Sequence, residues 1–190
     1  MANTDKTAKS AGMSRVTVAI VLMDIVGSMR LVAEVGDLEF VKLFQKYYEH
    51  VAYAAQQHNG MIIKTMGDAV LLIFKNVSSA MPFISELSNS LVRDPSDDIN
   101  NLQLRISLHI GEVIMEPRSY GGEIFGSAVN IAARLSALAC PDQLVVSHTS
   151  VNYLPPDQRS LVRQTETSDL KGLDEKVEFG RIDLSKLRVT

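Results

Sequence analysis

The chain has 190 residues, 46% hydrophobic and 22% charged, which is enough for one buried core and reads as a single domain. A formal charge of −3, with no long Lys/Arg run, excludes a protein that tracks a nucleic-acid polymer. The single cysteine, Cys140, excludes an intrachain disulfide, and its apolar setting before Pro141 is that of a buried, inert thiol.

Residues 1–14 are small and polar and read as a disordered leader or linker, with the folded domain over 15–190. They lack the apolar core of a signal peptide. The longest strongly apolar run, Val16 to Met23, falls far short of the ~20 residues that span a bilayer, so no direct membrane insertion is expected. The expected location is the cytoplasm, for the chain itself or as a cytoplasmic domain of a larger protein.

Val16 to Met23 is β-branched and continuously apolar, a buried strand that breaks at Gly27 after Asp24. Leu38, Val41, Phe44, Tyr48, Val51 and Ala55 recur at helical spacing up to the stop signal Asn59-Gly60. Met61 to Thr65 and Ala69 to Phe74 flank Met66-Gly67 and predict a β-hairpin. A helix follows over Ser78 to Val92, then a polar loop from Arg93 to Asn101 and a long strand from Leu102 to Met115. Gly126 to Leu138 predicts a helix, Leu144 to Ser147 a strand, and Val177 to Ile182 an edge strand. The order βαββαβ, without internal repeats, predicts an α+β fold whose sheet is covered by helices on one face.

Two carboxylates stand where chain geometry favours a site. Asp24 closes the first strand three residues before Gly27, and Asp68 occupies the hairpin turn beside Gly67; glycines there leave the backbone open to an ion or phosphate. Oxygen ligands of this kind suit Mg²⁺ or Mn²⁺, which keep water and phosphates as their other ligands. Taken singly, each Asp is more often a turn or capping residue, and spacing alone does not pair them. Asn130 and Arg134, four apart on a helix, share one face and can reach one ligand, or else a neighbouring carbonyl. Gly121-Gly122 and Gly126 bracket Glu123 in a loop that allows close approach.

Three segments together carry a resemblance: Asp24-Ile25-Val26-Gly27-Ser28, Lys64-Thr65-Met66-Gly67-Asp68-Ala69, and Phe125 through Leu135 with Asn130 and Arg134 at its centre. In this order and at these separations they resemble the class III adenylate and guanylate cyclases, over about Val16 to Ile182. The resemblance implies a ferredoxin-like βαββαβ core with additional C-terminal strands. It implies two divalent metal ions, Mg²⁺ or Mn²⁺, held by Asp24, Asp68 and the backbone carbonyl of Ile25. Lys64 matches the lysine that reads adenine, and Glu123 falls where adenylate cyclases usually place an aspartate for the adenine amino group. Asn130 and Arg134 match the pair that orients the ribose and stabilises the transition state. Lys171 in Leu170-Lys171-Gly172 matches a phosphate-binding lysine, with an exposed loop lysine as the alternative.

The implied reaction is conversion of ATP to cyclic AMP and pyrophosphate by a homodimer, with a regulatory domain or sensor protein as a further partner. Adenine accepts at N1 and donates from its 6-amino group, whereas guanine does the reverse, so a Lys and a carboxylate fit adenine. The family's guanylate cyclases carry a glutamate where Lys64 stands. Alternatives are a guanylate or dual-specificity cyclase, which the longer Glu123 keeps open, and a non-catalytic nucleotide-sensing dimer. Degenerate members lack one or more site residues, and this chain keeps all of them.

Overall fold

β-branched and aliphatic residues that lose little by extending, and longer side chains spaced for a helix face, divide the chain into the expected alternation. The computed structural model describes residues 13–90, 102–116, 123–163, 165–169 and 176–187. In chain order the elements are β1 (Ser14–Ile25), α1 (Ser28–Val35), α2 (Asp37–Gln57), β2 (Met61–Met66), β3 (Ala69–Phe74), α3 (Val77–Ser90) and β4 (Leu104–Glu116). There follow β5 (Glu123–Phe125), α4 (Ser127–Leu138), β6 (Gln143–Ser147), the short helices α5 (His148–Val151) and α6 (Pro156–Arg159), β7 (Glu166–Asp169) and β8 (Lys176–Asp183). Ser14 already pairs with Met115, so β1 begins one residue inside the segment expected to be leader.

Among the described residues the fold is α+β around one eight-stranded mixed sheet in the order β2-β3-β1-β4-β6-β8-β7, with β5 paired to β4. Neighbours within β2-β3-β1-β4 are antiparallel, the arrangement a βαββαβ unit makes when its helices cross on one side. β6 runs parallel to β4 and starts the C-terminal extension. β4 shares its outer edge between two partners, β6 at Arg105 to Leu108 and β5 at Ile114 to Glu116.

The unbroken apolar run of β1 has a simple cause: both of its faces are covered. Ala19, Val21, Met23 and Ile25 pack with α2 and α3, while Val18, Ile20 and Leu22 pack with Ala128 and Ala132 of α4. The cover expected on one face holds for α2 and α3, and α4 lies on the other. Gly111 permits that seat, since a Cβ there would stand 2.6 Å from the Cβ of Ala128.

Other details differ from expectation. α1 was not expected; it has only eight residues, none of them fully buried, and its Leu31 packs partly buried against the core. In α2 the buried residues are Tyr47, Val51, Ala54 and Ala55, whereas Leu38 and Val41 are exposed. β8 is not an edge strand, because the short polar strand β7 flanks it. The ends of two expected elements, Leu91-Val92 and Leu102-Gln103, fall outside strand or helix or outside the described residues, as do the loop from Arg93 to Asn101 and Gly121-Gly122. Cys140 is exposed at the end of α4 rather than buried. Among the described residues no helix is long and apolar enough to cross a membrane.

Candidate active site

Antiparallel pairing brings together residues far apart in sequence at one end of the sheet. β3 pairs with β1 so that Val70 faces Met23, which carries the β2–β3 turn with Asp68 alongside the end of β1. Gly67 takes a left-handed φ of 65° in that turn, a conformation that a side chain disfavours. On the other side β4 places Arg105 opposite Asp24, and the Arg105 Nε donates to Asp24 Oδ1 at 2.8 Å. Ile25 buries its side chain in the core, which leaves its backbone carbonyl for any ligand role.

Burial raises the Asp24 pKa above the ordinary carboxylate value; the Arg105 hydrogen bond and charge oppose this, and the negative charge of Asp68 adds to it. Tyr47, fully buried on α2, has its pKa raised by burial and then by the charges of Asp24 and Asp68. Its hydroxyl meets no hydrogen-bond partner among the described residues. Two half-shielded carboxylates that repel each other, with a backbone carbonyl beside them and an orphaned hydroxyl within reach of their field, fit a hard divalent cation. Among the described residues no group of three His, Cys, Asp or Glu side chains converges. A cation on this pair therefore takes its remaining ligands from water and substrate, as Mg²⁺ and Mn²⁺ do.

The other candidates form separate groups. Lys64 on β2 and Glu123 on β5 meet at 3.5 Å, both partly exposed. α4 buries Ala128, Ala132, Leu135 and Ser136, which turns Asn130 and Arg134 to the opposite, exposed face. The sequence left open whether those two bond a neighbouring carbonyl; among the described residues neither does. Ser107 Oγ instead donates to the Ala132 carbonyl at 2.7 Å and pins the helix to β4. Asp24 and Asp68 make no hydrogen bond or ion pair with Lys64, Asn130 or Arg134 among the described residues. Lys171 lies outside the described residues.

Arg105 and Tyr47 were not singled out from sequence. Arg105 was readable only as one polar position in an alternating strand, and Tyr47 as one of several aromatics on α2. A cleft of about 320 Å³ at the start of α4, lined by His109, Gly111, Gly126 and Ser127, contains none of the expected charged residues.

Residues 12–180 match the adenylate and guanylate cyclase catalytic domain family, and the chain belongs to that family. It is a nucleotidyl cyclase catalytic domain, of a class that generally uses divalent metals, dimerises and binds nucleotide. An uncharacterized protein of Mycobacterium tuberculosis is 30% identical over 182 residues, covering 90% of this chain and 34% of its own length. An adenylate cyclase of Streptomyces coelicolor is 28% identical over 128 residues, covering 67% of this chain and 32% of its own length. The crystal structure of an adenylate/guanylate cyclase/hydrolase from Silicibacter pomeroyi superposes with a TM-score of 0.74 at 27% identity, covering 90% of this chain and 98% of that one. The chain thus spans about a third of the length of the curated relatives it matches.

Proposed function

We propose that this domain is an adenylate cyclase that converts ATP to 3′,5′-cyclic AMP and pyrophosphate at sites completed across a homodimer. The observation that carries the reading is the Lys64–Glu123 pair, a donor and an acceptor 3.5 Å apart. Together they complement the N1 and 6-amino group of adenine and oppose the reversed pattern of guanine. The adenylate cyclase of Streptomyces coelicolor among the relatives supports the same choice. Glu123 is one methylene longer than the aspartate usual in adenylate cyclases, which favours a looser, dual-specificity site as the second reading.

Asp24, Asp68 and the Ile25 carbonyl are the residues to hold two divalent cations, Mg²⁺ or Mn²⁺. When bound, such ions acidify and align an attacking hydroxyl and offset triphosphate charge. Arg105 fixes the orientation of one Asp24 oxygen and leaves the other to a ligand. The ribose 3′-oxygen attacks the α-phosphorus, and pyrophosphate leaves. Asn130 orients the ribose, and the planar guanidinium of Arg134 binds the phosphate oxygens as charge develops. No described side chain is placed as a general base, so the 3′-proton passes to a substrate phosphate oxygen or to solvent. Lys171 supplies a further phosphate contact.

Asn130 and Arg134 face outward without a hydrogen-bond or ion-pair partner among the described residues, which supports a site completed by a second copy. Exposed Met66 and Phe125, on the hairpin and beside Glu123, supply apolar surface for that contact. ATP as substrate places the domain in the cytoplasm, and a linked sensor or regulatory domain is the expected source of control. The test is incubation of purified protein with ATP or GTP and Mg²⁺ or Mn²⁺, with the cyclic products separated and quantified. Cyclic AMP in excess is the expected result. Preferential cyclic GMP would overturn the base assignment, and no product from either nucleotide would overturn the catalytic reading.

A further inference from the structure

Between the end of β6 and the end of β5 no strand pairs with the outer edge of β4 among the described residues, and the cleft at the start of α4 opens there. His109 lines the cleft and is only 7% exposed. Its Nδ1 lies 2.8 Å from Ser147 Oγ, whereas its Nε2 meets no partner among the described residues. Gly111 keeps that nitrogen accessible, because a Cβ there would stand 3.1 Å from Nε2. Burial pushes the His109 pKa down to about 4, so the ring is neutral near pH 7, with one N–H and one bare nitrogen.

Proton counting decides which nitrogen carries the hydrogen. The Ile110 N–H donates to Ser150 Oγ at 2.7 Å, and the Ser150 N–H donates to Ser147 Oγ at 3.3 Å. The two hydroxyl oxygens are 2.8 Å apart. Ser150 is fully buried, and among the described residues the acceptor in reach of its hydroxyl proton is Ser147 Oγ. Ser147 then accepts twice, and its own proton goes to His109 Nδ1. The reverse order would leave the Ser150 proton buried and unpaired, which native proteins avoid. The imidazole proton is therefore on Nε2, facing the cleft as a donor.

The rim adds to this polarity. Gly126, Ser127 and Ala128 at the start of α4 line the same cleft, and no side chain caps the helix there. Arg15 lines the rim and holds the Glu112 carboxylate at 2.6 Å, which offsets the one acidic side chain in the lining. We propose that this cleft is a second ligand site, separate from the nucleotide residues, that takes a small oxyanion such as a carboxylate through His109 Nε2–H. The site adjoins the root of α4, the helix that carries Asn130 and Arg134.

The experiment is nitrogen NMR of protein labelled with ¹⁵N-histidine, with His109 assigned through the variant His109→Gln. Sodium formate and sodium phosphate are titrated against sodium chloride at matched ionic strength. The expected spectrum shows the proton on Nε2, with a saturable shift of that signal under formate and none under chloride. Saturation by phosphate as well would identify a general oxyanion site, and by formate alone a carboxylate site; either supports the proposal. Ser147→Ala, which removes the hydroxyl that fixes the tautomer, should weaken formate binding about fivefold, the worth of one hydrogen bond. A proton on Nδ1 in the unliganded protein, or a formate response no different from chloride, would overturn it.

Discussion

Replacing Asp24 or Asp68 by alanine removes a carboxylate at a strand end or turn, where little core volume is lost. Each variant should fold with a near-unchanged circular dichroism spectrum and lose cyclisation. Most of the activity retained at saturating Mn²⁺ in either variant would contradict the metal assignment. The raised pKa of Asp24 gives a second, signed expectation. A carboxyl group whose folded pKa is raised contributes stability below its unfolded pKa and loses it as pH rises through the folded value. Metal-free Asp24→Asn should therefore melt higher than the parent at pH 8, and the difference should vanish below the ordinary value of 3.8. An Asn variant that melts lower at pH 8 would show that the Arg105 bond outweighs burial. At the base pocket, Lys64→Glu combined with Glu123→Cys should shift preference from ATP toward GTP. Sites that hydrogen-bond their substrate discriminate by up to ~10⁴ when those groups are left unpaired. An unchanged ATP/GTP ratio of kcat/KM would show that neither residue reads the base.

At the scale of elements, the seat of α4 on β4 links packing to function. A methyl group at Gly111 meets the Cβ of Ala128 at 2.6 Å, and both belong to packed backbone with little room to yield. Gly111→Ala should destabilise the domain by ~1–3 kcal/mol, the usual range for overpacking, and lower kcat by displacing Asn130 and Arg134. Denaturant melts and initial rates on the same preparation check both, and wild-type values for each would mean that α4 does not rest there. The same elements show what sequence can and cannot carry. β1, the β2–β3 hairpin and α4 were legible because their signals are local: a continuous apolar run, a glycine turn, and an apolar helix face. The Asp24–Arg105 bond joins residues 81 apart and depends on β1–β4 register, which no local pattern encodes. Leu38 and Val41 of α2 obey helical spacing yet face solvent, since spacing marks a stripe and not what covers it. Cys140 was misjudged because residue-type preference says nothing about a helix end. The role of β7 escaped because four polar residues form a strand only when β8 is there to pair with them.

At the scale of the whole molecule, no hydrogen bond or ion pair joins the carboxylate pair to the outward-facing Asn130 and Arg134 among the described residues, which calls for a symmetric dimer with two composite sites. Arg134→Ala alone should cut turnover by ~10²–10³, the usual loss for one preorganised donor to a developing charge. Asp68→Ala alone should be inactive for lack of metal. Mixing equal amounts of the two inactive variants, with subunit exchange confirmed by mass spectrometry, tests the arrangement directly. A mixed dimer holds one doubly damaged site and one intact site, and half of all dimers are mixed at random pairing. About a quarter of wild-type cyclic AMP production should return. Confirmed exchange with no recovered activity would contradict the arrangement.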